Sequence, residues 1–300
     1  MFRTIPFAAA AMLTVGQSAP NPSPAPDPAK QAEARRLVLE AGTAYAEKDY
    51  ATSARLYVQA METGVTSANT AYNAACSFAL LGQSDHAFKY LNQAVEKGWT
   101  DVEHLKADAD FEFLRSDPRF NDVVAFCISM RQDFRDALGN PELYDELLRR
   151  MKLDQDARNA MPVDVAAMTR IDAENTAWMK EVLDKHGWPG FSMVGKDGDQ
   201  AAWLLIQHAP DVTFQKRCQE LLTAAVEKGD SSPVDLAYLT DRVLMREGKP
   251  QIYGTQFMEF NGQMKPHPIE DEANVDSRRA KVGLEPFAVY AERMRSLDRK

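Results

Sequence analysis

The chain has 300 residues, 45% hydrophobic and 26% charged, with a formal net charge of -9. That length suggests about two domains of roughly 150 residues, each able to bury a core without disulfide or metal staples. The acidic balance argues against a protein that tracks nucleic-acid phosphates, which would show a basic face.

Residues 1–18 place one cation, Arg3, before an apolar run from Ile5 to Val15 and a small-residue segment, Gly16-Gln17-Ser18. This is the order of a secretory signal peptide with cleavage after Ser18, and the run is too short to span a bilayer. No later stretch is apolar for long enough to do so, which predicts a periplasmic or secreted protein with no membrane span in the mature chain. Prolines at 20, 22, 24, 26 and 28 make residues 19–29 an extended, Pro-rich linker.

Residues 30–132 contain two similar stretches, Ala41 to Gly64 and Ala74 to Gly98. Gly42 and Ala75, Tyr45 and Phe78, and Ala54 and Ala87 are each 33 residues apart; Tyr57 with Leu91 and Ala60 with Ala94 are 34 apart. Small residues where helices would cross, with large apolar ones between them, resemble the tetratricopeptide repeat, whose period is about 34. A partial third unit is expected from Asp101 to Phe120. The resemblance implies helical hairpins with a concave surface that holds a protein or peptide partner, although hairpins so few in number could equally buttress the second domain. His86 and His104 stand outside any ligand-spaced pair. Asp108, Asp110 and Glu112 lack the glycine and terminal glutamate of a calcium loop, and read as a solvated helix face. Cys76, Cys127 and Cys218 show no CxxC or zinc spacing, and three small buried residues are the expectation. No metal and no cofactor is implied anywhere in the chain.

Residues 133–300 form the second expected domain. Asn140-Pro141 starts a charged amphipathic helix, and a long helix follows from Asp164 to His186, ended by Gly187. After a turn at Trp188, Pro189 and Gly190 and a loop through Gly195–Asp199, the next helix stops near Ala209, ahead of Pro210. Asp211 suits the cap of a helix that ends at Gly229, and Ser231 or Ser232 caps another beginning at Pro233. From Gln251 the pattern turns extended. Tyr253 to Gln256 read as strand, and Asn261-Gly262 as the turn of a small β-hairpin near 251–268. Helices return in Ala273–Gly283 and beyond Glu285. The predicted fold is therefore mainly α: tetratricopeptide-like hairpins plus a second, mostly helical domain with one β-hairpin. The order GWPG, WLLIQHA, YLTDR, QIYGTQ and VDSRRAKVGLEPFAVY over residues 140–295 resembles a bacterial family of exported proteins whose shared domain has no assigned activity.

Polar groups cluster between Trp203 and Gln256. His208 ends an apolar helix, where it either satisfies free carbonyls or serves as a general base. On the following helix Tyr238 and Arg242, four residues apart, share a face that reads either as an exposed stack or as an anion clamp, with Asp241 beside it to orient Arg242 or His208. Tyr253 and Gln256 offer a hydroxyl and an amide to a polar ligand, with Gly254 allowing close approach, and Arg278 or Arg279 could reach the same surface. GxSxG, HExxH and glycine-rich phosphate loops are absent. Two functions follow. One is an exported interaction or scaffold protein with a polar pocket in the C-terminal domain. The other is a cell-envelope hydrolase or transferase with His208 and Asp241 as acid and base and Arg242 as the clamp. The ligand contacts expected are Arg242, Tyr253, Gln256, Tyr238 and Arg279.

Overall fold

The computed structural model describes residues 27–64, 67–260 and 263–297. The signal peptide, nearly all of the Pro-rich linker and the Asn261-Gly262 turn lie outside the described residues. The rest is mainly α-helical with a two-stranded antiparallel hairpin, and it divides into two compact units between Leu138 and Gly139. No helix among the described residues is long and apolar enough to cross a membrane.

The N-terminal unit begins with α1 (Pro28–Ala46), two residues inside the expected linker. Proline lacks an N–H that the first helical position has no use for, and the Asp27 side chain caps the helix by accepting from Ala29 N–H. Three helices follow: α2 (Tyr50–Glu62), α3 (Ala68–Leu80) and α4 (Ser84–Glu96). Each consecutive pair packs closely. Ala41, Ala60, Ala71, Ala74, Ala75, Ala87 and Ala94 are completely buried, because a methyl group is all that fits where these backbones approach. The unit closes with α5 (Val102–Ala107), a 3₁₀ helix (Ala109–Ser116) and α6 (Pro118–Asp136). Leu105, Phe111, Leu114 and Cys127 complete its core, and all three cysteines are buried and unpaired.

The C-terminal unit contains α7 (Pro141–Asn159), α8 (Val165–His186), α9 (Phe191–Gln207), α10 (Val212–Glu227) and α11 (Pro233–Arg246). Their caps are local. Asn140, Asp164, Asp211 and Ser232 each accept from the N–H three residues on, and Gly187 and Gly229 follow the ends of α8 and α10 with positive φ. Two expectations are corrected. Gly195–Asp199 is not a loop but part of α9, which is interrupted only at Gly195 (φ 66, ψ 176). The reason is packing: a Cβ on Gly198 would meet the Val194 side chain of α9 itself at 2.6 Å and Tyr144 of α7 at 3.2 Å, so the glycine serves close packing where sequence alone suggests a break. Tyr253 to Gln256 is not strand either. Among the described residues ladder pairing is confined to β1 (Phe257–Phe260) and β2 (Gln263–Pro266), in the register Phe257 with Pro266 and Phe260 with Gln263, with one isolated parallel bridge between Gln251 and Ile269. Residues 251–256 instead form a loop in which side chains take the N–H groups of Ile252, Tyr253, Thr255 and Gln256, while the Pro268 carbonyl takes that of Gln251. At Gly254 (φ 70) a Cβ would meet Phe287 at 2.8 Å and Ile269 at 2.9 Å, so the close approach is by this chain's own side chains. A 3₁₀ turn (Glu272–Asn274), α12 (Val275–Lys281) and α13 (Phe287–Leu297) end the unit, with Tyr290 packed against Tyr238 and Phe257.

Candidate functional site

The seven expected site residues separate into two polar clusters, both reached from α11. The first builds the 251–256 loop. Asp241 is fully buried, and its Oδ1 accepts from the N–H of Ile252 at 2.7 Å and of Tyr253 at 3.0 Å. Its Oδ2 accepts from the N–H and the hydroxyl of Thr255, each at 2.9 Å. Gln256 is also buried; its N–H donates to Gln251 Oε1 and its amide to Thr255 Oγ1 and the Tyr238 carbonyl. Arg279, without solvent exposure, donates to the carbonyls of Tyr253 and Glu285, both at 2.6 Å, beneath the Tyr290 ring. Tyr290 in turn donates to the Thr255 carbonyl at 3.0 Å. Tyr238 does not line an exposed face with Arg242: it stands edge-on between Trp203 and Tyr290. The carboxylate of Asp241, the backbone and side-chain nitrogen of Gln256, the N–H and carbonyl of Tyr253 and two of the three Arg279 nitrogens are thus engaged within the chain, where buried backbone demands partners.

The second cluster holds His208, in a hydrogen-bond network with α7, and Arg242, which bonds the adjacent Gln207 and acts on His208 only through its charge. His208, at the C-terminal cap of α9, meets α7, where Nδ1 lies 3.0 Å from both oxygens of Asp154. Arg158 donates Nε to Asp154 Oδ2 at 3.1 Å and Nη2 to Oδ1 at 3.0 Å, and Nη2 also reaches Asp172 on α8. Arg158 Nε is 3.0 Å from His208 Nδ1 as well, and that nitrogen cannot accept from the guanidinium while donating to the carboxylate. Burial alone would raise the Asp154 carboxyl, but the bonds from His208 and Arg158 hold it at about 2. It is therefore a carboxylate, and the tautomer with Nδ1–H donating to Asp154 is the favoured one. Burial also pulls His208 below its ordinary value, against its bond to Asp154, so the ring is neutral at pH 7. Nε2 has no hydrogen-bond partner among the described residues. Burial, with the Asp154 charge close by, pushes Asp172 up to about 6. Asp154, Asp172 and His208 present ligand atoms within 4.8 Å of one another, a span a metal ion could bridge, but Arg158 already stands among them as the cation.

Arg242 is half-buried on α11. Its Nε donates to Gln207 Oε1 at 3.1 Å, and no carboxylate pairs with it among the described residues. Burial, then the charges of Arg246 and Arg158, lower it to about 10. It acts in turn on His208 and on His267, which follows β2 and is itself held below its ordinary value, chiefly by burial. Arg246 donates to the carbonyls of Ala209 and Pro210. Arg158, Arg242 and Arg246 thus lie near His208 and His267, and among the described residues the carboxylates bonded in this cluster, Asp154 and Asp172, are both taken by Arg158.

Asp154, Arg158, Asp172, Arg246 and His267 were not expected from sequence. One signal was present: Leu143, Leu147, Asp154 and Arg158 continue a single buried stripe on α7, and a charged pair in core positions needs a buried partner.

A separate buried acidic group lies at the start of α11. Asp199 accepts from Trp188 Nε1 and Ser231 Oγ, both at 2.6 Å, and burial raises it to about 6. Burial and then the Asp199 charge raise Asp235 to about 7. Both carboxyls hold protons more tightly folded than unfolded, so the stability they confer is complete below about pH 3.9 and is lost as the pH rises through about 6 to 7. Asp235→Asn is accordingly expected to gain about 1–2 kcal/mol on the parent between pH 4 and pH 8, read from urea unfolding at the two pH values.

No curated protein and no solved structure matches the chain. Residues 141–298, from the first turn of α7 through α13, match DUF6624, a family of unknown function, and they include both clusters around α11. That span is more than half of the chain, which therefore belongs to the DUF6624 family.

Proposed function

We propose that this is an exported binding protein whose C-terminal unit holds the anionic group of a ligand, a carboxylate or a phosphate, against Arg242. The N-terminal helical hairpins, read as tetratricopeptide-like, would engage a protein or peptide partner, and the signal-peptide pattern of residues 1–18 would place both in the cell envelope. The observation that supports the clamp is the missing counter-ion. A half-buried guanidinium beside two others is unfavourable unless an anion joins it, and among the described residues Arg242 bonds only the neutral Gln207 amide. The test is thermal unfolding of the mature protein in phosphate and in a dicarboxylate such as succinate. Stabilisation should saturate with anion concentration and vanish in Arg242→Gln.

The His208–Asp154 pair favours a second reading, a hydrolase or transferase. A neutral imidazole oriented through Nδ1 by a carboxylate, with Nε2 unengaged, is the arrangement of a general base. In that reading Asp154 takes the role that the sequence suggested for Asp241, and Arg242 would hold the developing or departing anion. His208→Gln should then abolish turnover of phosphoester or carboxylic ester substrates while leaving Arg242-dependent anion binding in place. If the parent turns over none of them, the binding reading stands alone.

A further inference from the structure

The N-terminal unit has a polar cavity of its own. About 250 Å³ in volume, it is lined from α1 by Tyr45, from α3 by Tyr72 and Cys76, and from the α5 region by His104, Asp108 and Asp110. Tyr45 donates to Asp110 Oδ2 at 2.6 Å and Tyr72 to Asp108 Oδ2 at 2.8 Å. The Cys76 thiol lies 3.7 Å from the same Asp108 oxygen. Tyr72 is itself fixed by stacking on Trp99, with ring centroids 3.9 Å apart. The expectation of a solvated acidic helix face is corrected here: both aspartates turn inward, because the 3₁₀ geometry after Asp108 points them at the tyrosines of α1 and α3.

Charge balance distinguishes this cavity. Neither carboxylate is paired with a lysine or arginine among the described residues; Arg115 reaches the Asp108 carbonyl, not its carboxylate, and only His104 Nε2 comes near, at 3.6 Å. Tyr45, Tyr72 and Cys76 all have their proton loss suppressed, by burial first and by these carboxylates as well, so each remains a neutral donor. Cys76, Asp108 and Asp110 offer ligand atoms within 4.8 Å of one another, a span a metal ion could bridge, but one oxygen of each carboxylate already accepts from a tyrosine hydroxyl. The volume is also several times the roughly 30 Å³ of one water. Two carboxylates flanked by tyrosine rings suit a larger, delocalised or alkylated cation, held by charge-assisted hydrogen bonds and by the ring faces.

We infer that this cavity binds an organic cation, a guanidinium or ammonium group, presented by an arginine or lysine side chain of a partner peptide or by a free amine. The inference deepens the reading of the N-terminal unit as an interaction module and does not depend on the Arg242 site.

The test is calorimetric titration of the mature protein with an end-blocked Ala-Arg-Ala peptide, with argininamide, and with the peptide in which citrulline replaces arginine. The charged peptide should bind, weakening as salt rises, and citrulline should reduce affinity at least tenfold. Argininamide binding as tightly as the peptide would identify a free cation as the ligand, and tighter binding of the peptide would identify a peptide. Asp110→Asn should remove binding of both charged probes. Asp108 also caps the 3₁₀ helix, so Asp110 is the safer position, and Asp110→Lys gives a second measure: its own ammonium should fill the site, abolish binding and raise the melting temperature. Equal affinity for the citrulline peptide, or binding of only Zn²⁺ or Mn²⁺, would overturn the inference. A longer peptide that binds with the same affinity to Asp110→Asn would overturn the cation pocket while leaving the interaction module intact.

Discussion

Asp241→Ala is expected to destabilise the C-terminal unit by about 3–5 kcal/mol, the largest effect of any single polar substitution in it. Alanine removes the acceptor of three backbone N–H groups and one hydroxyl at a site with no solvent exposure. Each buried donor left without a partner loses about 1–3 kcal/mol, partly recovered where the loop can open to water. Asparagine keeps one oxygen but turns an NH₂ toward two donors, and should fall between alanine and the parent. Chemical denaturation measures the loss, and amide exchange should show 251–256 opening before the helices do. The result separates the two roles that the sequence left open for this residue. A folded Asp241→Ala protein of parental stability that had lost only turnover would restore Asp241 as an acid or base.

Arg242→Gln is expected to have the opposite sign in the ligand-free protein. Removing a half-buried cation that has no counter-ion and lies near Arg158 and Arg246 should stabilise by about 1 kcal/mol, or about 2–4 °C for a unit of this size. Glutamine retains a donor for Gln207. In the presence of a bound anion the order reverses. At a ligand concentration one hundred times Kd the parent gains about 2.7 kcal/mol that the variant cannot. A variant less stable without anion, yet equally stabilised by it, would remove Arg242 from the site.

The helix termini were legible because the interactions that make them are short in sequence. Asn140, Asp211 and Ser232 cap through an N–H three residues away, and Gly187 and Gly229 end helices by a local positive φ. Fold class followed from those punctuation marks together with the helical spacing of apolar residues. The density of polar groups between Trp203 and Gln256 was also visible.

What those groups contact was not legible. Asp241 and Arg242 are adjacent on α11 but point to different partners, one to the 251–256 loop and one toward Gln207. The 251–256 segment has the composition of a strand, yet becomes a loop because Asp241 takes its N–H groups. His208 gains its carboxylate from α7, more than fifty residues earlier, and Asp108 and Asp110 meet tyrosines of α1 and α3. The sequence by itself determined most helix ends, though not the start of α9 at Phe191, because capping and periodicity act within a few residues. Only the tertiary structure decided which charges are partnered and which are left open, because pairing depends on how helices distant in the chain pack, and no spacing along the chain encodes that distance.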